Sequence, residues 1–280
     1  MNLAEVLKGA TEYLASRGVE NPRLDAELLL SRALGLQRIE LYTQHDRPLT
    51  EAERAAAREL VRRRGAREPL AYVLGDWGFR RLTLKTDARA LVPRPETEIV
   101  VERCLAVLEG VAAPRIVDVG TGSGAIALAL AQERPDARVS ATDTSDEALA
   151  LARENADAND LRVELVVGDL LAGLKGPFDL IVSNPPYVDA DELAGLEPEV
   201  REWEPRAALV DEGQTDRLAR DSRSVLDGFI VLEVHEGRAR IVSQALEDMG
   251  YGAVRISEDL AGRERVVEAR WGATQGQTRG

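Results

Sequence analysis

The 280-residue chain has one cysteine, Cys104, and two histidines, His45 and His235. One cysteine excludes an intramolecular disulfide framework, and with only two histidines beside it a zinc site lacks ligands. Cys104, in a helical setting, is expected to pack as a small hydrophobe. No apolar run approaches the roughly 20 residues that span a bilayer. Residues 1–10 carry Glu5 and Lys8 in place of the basic-then-apolar order of a signal peptide. A cytoplasmic protein with no membrane partner and no metal is therefore expected, and no internal repeat is visible. Positive charge is also scarce. The formal net charge is −13, with 15 Lys and Arg against 13 Asp and Glu in residues 1–88, and 21 against 36 in residues 89–280. The larger part of the chain would repel a phosphate backbone, so direct nucleic-acid binding is not expected.

What is present divides near residue 88. From Leu3 to about Gly65, apolar residues recur at steps of three and four: Leu3, Val6, Leu7, Ala10, Leu14, then Leu24, Leu28, Leu29, Ala33 and Leu34. Asn21-Pro22 and Thr50 with Glu53 read as helix starts, and Gly18 and Gly35 as helix ends. A small helical domain over residues 1–70 follows. Near-alternation at Phe79, Leu82 and Leu84 predicts a hairpin or connector over residues 71–90. From 91 to 272, strand-like segments (115–119, 138–142, 163–167, 178–183, 228–234, 253–257, 265–270) alternate with helical ones (124–133, 145–158, 237–249). The fold class is α/β, a mainly parallel sheet of about seven strands covered by helices on both faces. Residues 273–280 are expected to be a disordered tail.

Two motifs carry chemistry. Asp118-Val119-Gly120-Thr121-Gly122-Ser123-Gly124 places glycines where a strand turns into a helix, so that a nucleoside can lie against bare backbone. The spacing is not that of dinucleotide folds, which speaks against a dehydrogenase. Nineteen residues beyond Gly124, Asp143 ends a strand where a carboxylate can accept hydrogen bonds from both ribose hydroxyls. Asp169 ends the next strand and can take an adenine amino group, with Leu170 covering the ring. As loop residues or helix caps, Asp143 and Asp169 have a plainer reading.

The second motif, Asn184-Pro185-Pro186-Tyr187, follows the apolar strand at 178–183. An amide or exocyclic aromatic nitrogen is a poor nucleophile because its lone pair is delocalised. Two acceptors gripping its two N–H bonds would favour pyramidalisation and aim that lone pair. The Asn184 side-chain carbonyl offers one acceptor and the Pro185 backbone carbonyl the other, held by two locked φ angles. Tyr187 offers a ring face for stacking. Together the motifs predict methyl transfer from a sulfonium donor to a planar NH2 group, driven largely by positioning.

The chain resembles the bacterial release-factor glutamine methyltransferases, the PrmC/HemK family, along nearly its whole length. The resemblance rests on the two motifs together with Glu68-Pro69-Leu70-Ala71-Tyr72-Val73-Leu74-Gly75, Val92-Pro93-Arg94-Pro95-Glu96-Thr97-Glu98, Glu204-Pro205-Arg206-Ala207-Ala208-Leu209 and Asp259-Leu260-Ala261-Gly262-Arg263-Glu264-Arg265. It implies a seven-stranded Rossmann-like class I methyltransferase domain behind a helical substrate-recognition domain. It also implies S-adenosylmethionine as donor and the glutamine of a release-factor Gly-Gly-Gln tripeptide as acceptor. Gly120, Thr121, Gly122, Ser123, Gly124, Asp143, Asp169, Leu170 and Asn184 would hold the donor. Asn184, Pro185, Pro186 and Tyr187 would hold the glutamine, with Arg94 and Glu96 beside them. A ribosomal-protein glutamine and the adenine amino group of DNA are alternative acceptors, because Asn-Pro-Pro-Tyr is shared with adenine methyltransferases. A non-catalytic donor-binding module is a further alternative.

The chain differs from the family pattern at Leu170, at residues 211–216 and at residues 235–237. The cluster Arg62, Arg63, Arg64 and Arg67 reads as a solvated helix end or as a docking patch for an acidic partner. His235 reads as structural. Glu96 and Glu98 either line the site or start a helix.

Overall fold

The computed structural model describes residues 1–259 and 261–272. The chain forms two compact units, Met1–Asp76 with Leu196–Trp203, and Trp77–Gly195 with Glu204 onward. No helix among the described residues is long and apolar enough to cross a membrane. The expected disordered tail at 273–280 lies outside the described residues.

The first unit contains α1 (Leu3–Ser16), α2 (Pro22–Leu34), α3 (Arg38–Thr43), α4 (Glu51–Gly65) and α5 (Leu70–Leu74). Two of its helices, α1 and α4, start where side chains replace missing backbone acceptors. Glu5 N–H donates to Asn2 Oδ1 at 2.9 Å and Asn2 N–H to Glu5 Oε2 at 2.8 Å, and Thr50 with Glu53 repeats this capping box on α4. Asn21 occupies the N-cap of α2, but its side chain makes no capping bond. Leu3, Leu7, Leu14, Leu29, Leu30, Leu41, Val61 and Val73 form the core. Fully burying each large side chain among them contributes about 1.5–3 kcal/mol.

The periodic reading of α2 fails at one face. Leu24 is 41% exposed, while Asp25 and Glu27 are buried. Both carboxylates are paired. Arg64 Nε donates to Asp25 at 2.7 Å, and Glu27 accepts from Arg23 Nε at 2.7 Å, Arg38 Nη2 at 2.8 Å and the Tyr42 hydroxyl. The arginine cluster is likewise committed. Arg62 pairs with Glu59 and Arg63 with Glu68, while Arg64, only 7% exposed, and Arg67 both clasp Glu199 of the returning segment at 2.7 Å. Neither a solvated face nor an open docking patch describes Arg64 and Arg67.

In the second unit a hairpin, β1 (Asp76–Phe79) and β2 (Leu82–Lys85), precedes α6 (Thr97–Val107). Then follow β3 (Arg115–Val119), α7 (Ala125–Glu133), β4 (Arg138–Asp143), α8 (Asp146–Ala158), β5 (Glu164–Val167) and β6 (Phe178–Ser183). The helix α9 (Pro198–Trp203) belongs to the first unit. The chain closes with α10 (Gln214–Ser222), β7 (Leu226–Glu233), α11 (Ala239–Asp248), β8 (Gly252–Glu258) and β9 (Glu264–Trp271).

The seven strands lie in the order β5-β4-β3-β6-β7-β9-β8, with β9 antiparallel to both neighbours and the other pairings parallel. The central parallel strands β3 and β6 are buried along nearly their whole length, as cover on both faces requires. Alternate residues feed two cores: Ile116, Leu180, Val182 and Val231 on one side, Val117, Ile181, Ile230 and Leu232 on the other. Cys104 is fully buried in the first of these. Strand order reverses between β4 and β6, on either side of β3. Open α/β sheets bind their ligands at the carboxyl ends of the strands at such a switch point.

Candidate active site

Gly120, Gly122 and Gly124 take φ of +71°, +55° and +85°, backbone that L side chains rarely adopt. Their surroundings differ. A Cβ at Gly124 would meet Leu128 at 3.1 Å and Ala152 at 3.2 Å, so this glycine lets α7 and α8 pack closely. A Cβ on Gly120 would find no heavy atom within 4 Å among the described residues, leaving open space over bare backbone.

The turn is held from below by Asp118, which is 1% exposed. Its Oδ2 accepts the Thr121 hydroxyl at 2.6 Å and Ala127 N–H at 3.1 Å, while Oδ1 has no partner among the described residues. Burial pushes this carboxyl up to about 7 against those two hydrogen bonds. Thr121 therefore spends its hydroxyl inside the turn. Ser123 offers its backbone carbonyl to Asn155 Nδ2 at 2.9 Å, and Asn155 also accepts Lys85 N–H at 2.6 Å, tying the hairpin to the turn. Asn155 carried no signal in the sequence, since a polar residue in a helix ordinarily faces water.

Asp143 reaches across from the tip of β4. Its Oδ2 accepts Gly122 N–H and its Oδ1 accepts Ser145 N–H, both at 2.9 Å. Each oxygen keeps a lone pair for a further donor. Ser145, not Asp143, caps α8. Asp169 is exposed and ion-paired with Arg217. Leu170 adopts φ +54°, and its carbonyl accepts the Thr142 hydroxyl at 2.9 Å. A branched residue in this region carries local strain of about 1 kcal/mol or more.

The tip of β6 is tied to β3 by the Ser183 hydroxyl, which donates to the Val119 carbonyl at 2.6 Å. Asn184 is half-buried, and its Nδ2 donates to Thr97 Oγ1 at 3.5 Å. Pro185 is buried, while Pro186 and Tyr187 are half-buried. The Tyr187 ring lies 5.5 Å from the His235 ring at 43°, and burial raises its phenol to about 12, which keeps the hydroxyl protonated at neutral pH. Beyond it, Val188 N–H donates to the Leu209 carbonyl at 2.9 Å and Asp211 N–H to the Val188 carbonyl at 3.0 Å. The divergent segment at 211–216 thus begins as a clasp on the Asn-Pro-Pro-Tyr loop.

Arg94 has a buried partner. Its Nη2 donates to both oxygens of Glu204, at 2.9 and 2.7 Å, and Glu204 also accepts Val92 N–H at 3.3 Å. Glu96 pairs with Arg263 at 3.4 Å. Glu98 accepts Arg80 N–H at 2.9 Å and so anchors the hairpin turn.

One residue beside the site was passed over in the sequence. Glu233, the last residue of β7 and 3% exposed, stands at the strand tip next to Asn184, because Ser183 pairs with Leu232 in parallel register. Its Oε2 has no partner among the described residues. Burial pushes its carboxyl up to about 7, against the opposing pull of Thr97. The signal was a lone acid closing the run Phe229-Ile230-Val231-Leu232.

Residues 5–75 match the model of the PrmC N-terminal domain, and residues 97–197 match that of the methyltransferase small domain. Over 277 residues the chain is 44% identical to the release factor glutamine methyltransferase of Deinococcus radiodurans, an alignment covering 96% of this chain and 99% of that protein. It is 42% identical over 279 residues to the same-named protein of Geobacter sulfurreducens, covering 96% and 97%. Among solved structures, a 16S rRNA methyltransferase of T. thermophilus in complex with AdoMet and guanosine aligns with a TM-score of 0.54 at 19% identity, over 70% of this chain and 49% of that one. That last likeness is one of fold. By its identity to these relatives along almost its whole length, the chain belongs to the release factor glutamine methyltransferase family.

Proposed function

We propose that this protein transfers a methyl group from S-adenosylmethionine to the side-chain amide nitrogen of the glutamine in the Gly-Gly-Gln tripeptide of peptide-chain release factors. The observation that carries the reading is the placement of Asn184. Its carboxamide sits just past the tip of β6 with its nitrogen turned to Thr97, one residue beyond the Val119–Ser183 pair and so beside Gly120.

The residues present fit the donor. Asp143 has lone pairs free for two ribose hydroxyls, the open backbone at Gly120 admits the nucleoside, and Leu170 stands by for the adenine ring. Asp169 is paired with Arg217 through Oδ2 and has Oδ1 left for the adenine amino group. S-adenosylmethionine, when bound, supplies a methyl group on a sulfonium whose positive charge is lost on transfer.

The remaining work falls to the strand tip. Asn184 Oδ1 and the Pro185 carbonyl accept the two N–H bonds of the glutamine carboxamide, and the Tyr187 ring supports its face. This grip holds the nitrogen lone pair toward the donor. The new N–C bond forms as the C–S bond breaks, and the nitrogen then gives one proton to solvent. No general base is called for, and alignment supplies most of the acceleration.

Donor labelled with tritium in its methyl group, incubated with release factor, ribosomal protein and DNA, separates the possible acceptors. Label is expected on the release factor. Label on DNA or on ribosomal protein alone would refute the assignment.

A further inference from the structure

We propose that Arg238 is a positioning residue for the acceptor loop, closing a backbone neck behind Tyr187 that Asp189 and Asp211 would otherwise force apart. The inference rests on the reading of Tyr187 as the support for the glutamine amide.

Tyr187 is locked by proline on one side only. Pro185 and Pro186 stiffen the backbone ahead of it. Behind it the chain leaves for Leu196–Trp203, a segment of the helical unit, and returns at Glu204. A short parallel bridge between Val188 and Val210 closes this excursion, with Val188 N–H donating to the Leu209 carbonyl at 2.9 Å and Asp211 N–H to the Val188 carbonyl at 3.0 Å. Val188, Leu209 and Val210 are buried, so the neck is dry on one side.

Each side of the neck carries an aspartate directly after its bridge residue, Asp189 on the outgoing side and Asp211 on the returning one. The pairing sets two carboxylates side by side, and like charges so placed weaken it. Arg238 resolves the conflict. Its Nη2 donates to Asp189 Oδ2 and its Nη1 to Asp211 Oδ2, the latter at 3.1 Å, so that one planar fork serves both acids. Asp211 is tied further, because its Oδ1 accepts Gly213 N–H at 2.8 Å. The Asp189 carboxylate has no other partner among the described residues.

The turn that follows β7 holds Arg238 in place. Its N–H donates to the His235 carbonyl at 3.0 Å, and Gly237 makes the turn with φ +85°. The His235 ring leaves from the same turn to lie 5.5 Å from that of Tyr187. The stretches 211–216 and 235–237, where the chain departs from the family pattern, thus meet behind the acceptor loop.

Kinetics of the full-length enzyme on intact release factor, with donor tritiated in its methyl group, test this. Arg238→Gln removes the charge and leaves the two aspartates facing each other. It is expected to lower kcat about tenfold, as a displaced supporting ring would, while donor affinity by calorimetry and the urea midpoint stay near the parent's. Adding Asp189→Asn should restore most of the loss, because a single carboxylate has nothing to repel. In a Tyr187→Ala background Arg238→Gln should cost nothing more, since both changes break one arrangement. Normal turnover by Tyr187→Ala would refute the reading of the acceptor loop itself. With that variant impaired, the role of Arg238 alone is overturned by a parental kcat in Arg238→Gln, by a defect that Asp189→Asn leaves untouched, or by one undiminished in the Tyr187→Ala background.

Discussion

The helical unit pairs its buried carboxylates with arginine, whereas the sheet unit pairs some, as Glu204 with Arg94, and leaves two half-satisfied. In the first, Glu27 and Glu199 each accept from two arginines, and Asp25 accepts from Arg64 while burial still raises its carboxyl. Burial raises Glu27, but hydrogen bonds from Tyr42, Arg38 and Arg23 outweigh it, and its carboxyl ends lower than usual. In the second, Asp118 and Glu233 each keep one oxygen without a partner among the described residues, and both titrate near 7. A paired buried charge holds elements together. A half-satisfied one raises the energy of the folded state and is expected where a site needs a directional acceptor. Asp118 holds the glycine turn that follows β3, and Glu233 stands at the tip of β7 beside Asn184.

The largest effect that would break this contrast is on stability in the helical unit. Arg64→Ala strands Asp25 in a buried setting and takes one of its two arginines from Glu199. The expected loss is about 3–5 kcal/mol, read as a fall in the urea midpoint; a loss under about 1 kcal/mol would mean the network is not structural.

Asp118→Asn is expected to have the opposite sign. The folded carboxyl is raised from 3.8 to about 7, so the folded state holds its proton longer than the unfolded chain does. Its contribution is full below 3.8 and is lost as pH rises toward 7. The variant should therefore match the parent at pH 3 and exceed it at pH 8 by about 1–3 kcal/mol, the scale of an unsatisfied buried group. Urea titrations at the two pH values decide it, and a variant less stable at pH 8 would show that the carboxylate is fully compensated.

The smallest effect is expected at the exposed pair Asp169–Arg217. Arg217→Ala should change stability by no more than about 1 kcal/mol. Calorimetry should find donor affinity unchanged or improved, because Asp169 is released for the adenine. Weakened donor binding would place Arg217 in the site.

How much was legible in the sequence follows the same division. The tips of β3 and β6 were readable because a glycine turn and a double proline follow apolar runs there; Asp143 closes β4 and Asn184 falls just past β6. The buried face of α2 was not. Leu24 fits the helical period yet is exposed, because Asp25 and Glu27 find arginines to pair with, Arg64 standing 39 residues away in sequence. The return of Leu196–Trp203 to the helical unit depends on the same long-range pairs and leaves no periodic trace. Glu233 was hidden for a related reason. A lone acid after an apolar strand has no local pattern to mark it, and Arg94 and Glu96, which the sequence did mark, turn to Glu204 and Arg263.

The central claim is that the Asn184 carboxamide clasps a glutamine amide for methylation. Mass spectrometry of release factor incubated with S-adenosylmethionine and either the parent enzyme or Asn184→Ala tests it most directly. One added methyl on the Gly-Gly-Gln glutamine with the parent, and none with a variant that still binds donor, is the predicted result. A methyl group elsewhere, or equal methylation by both enzymes, would contradict it.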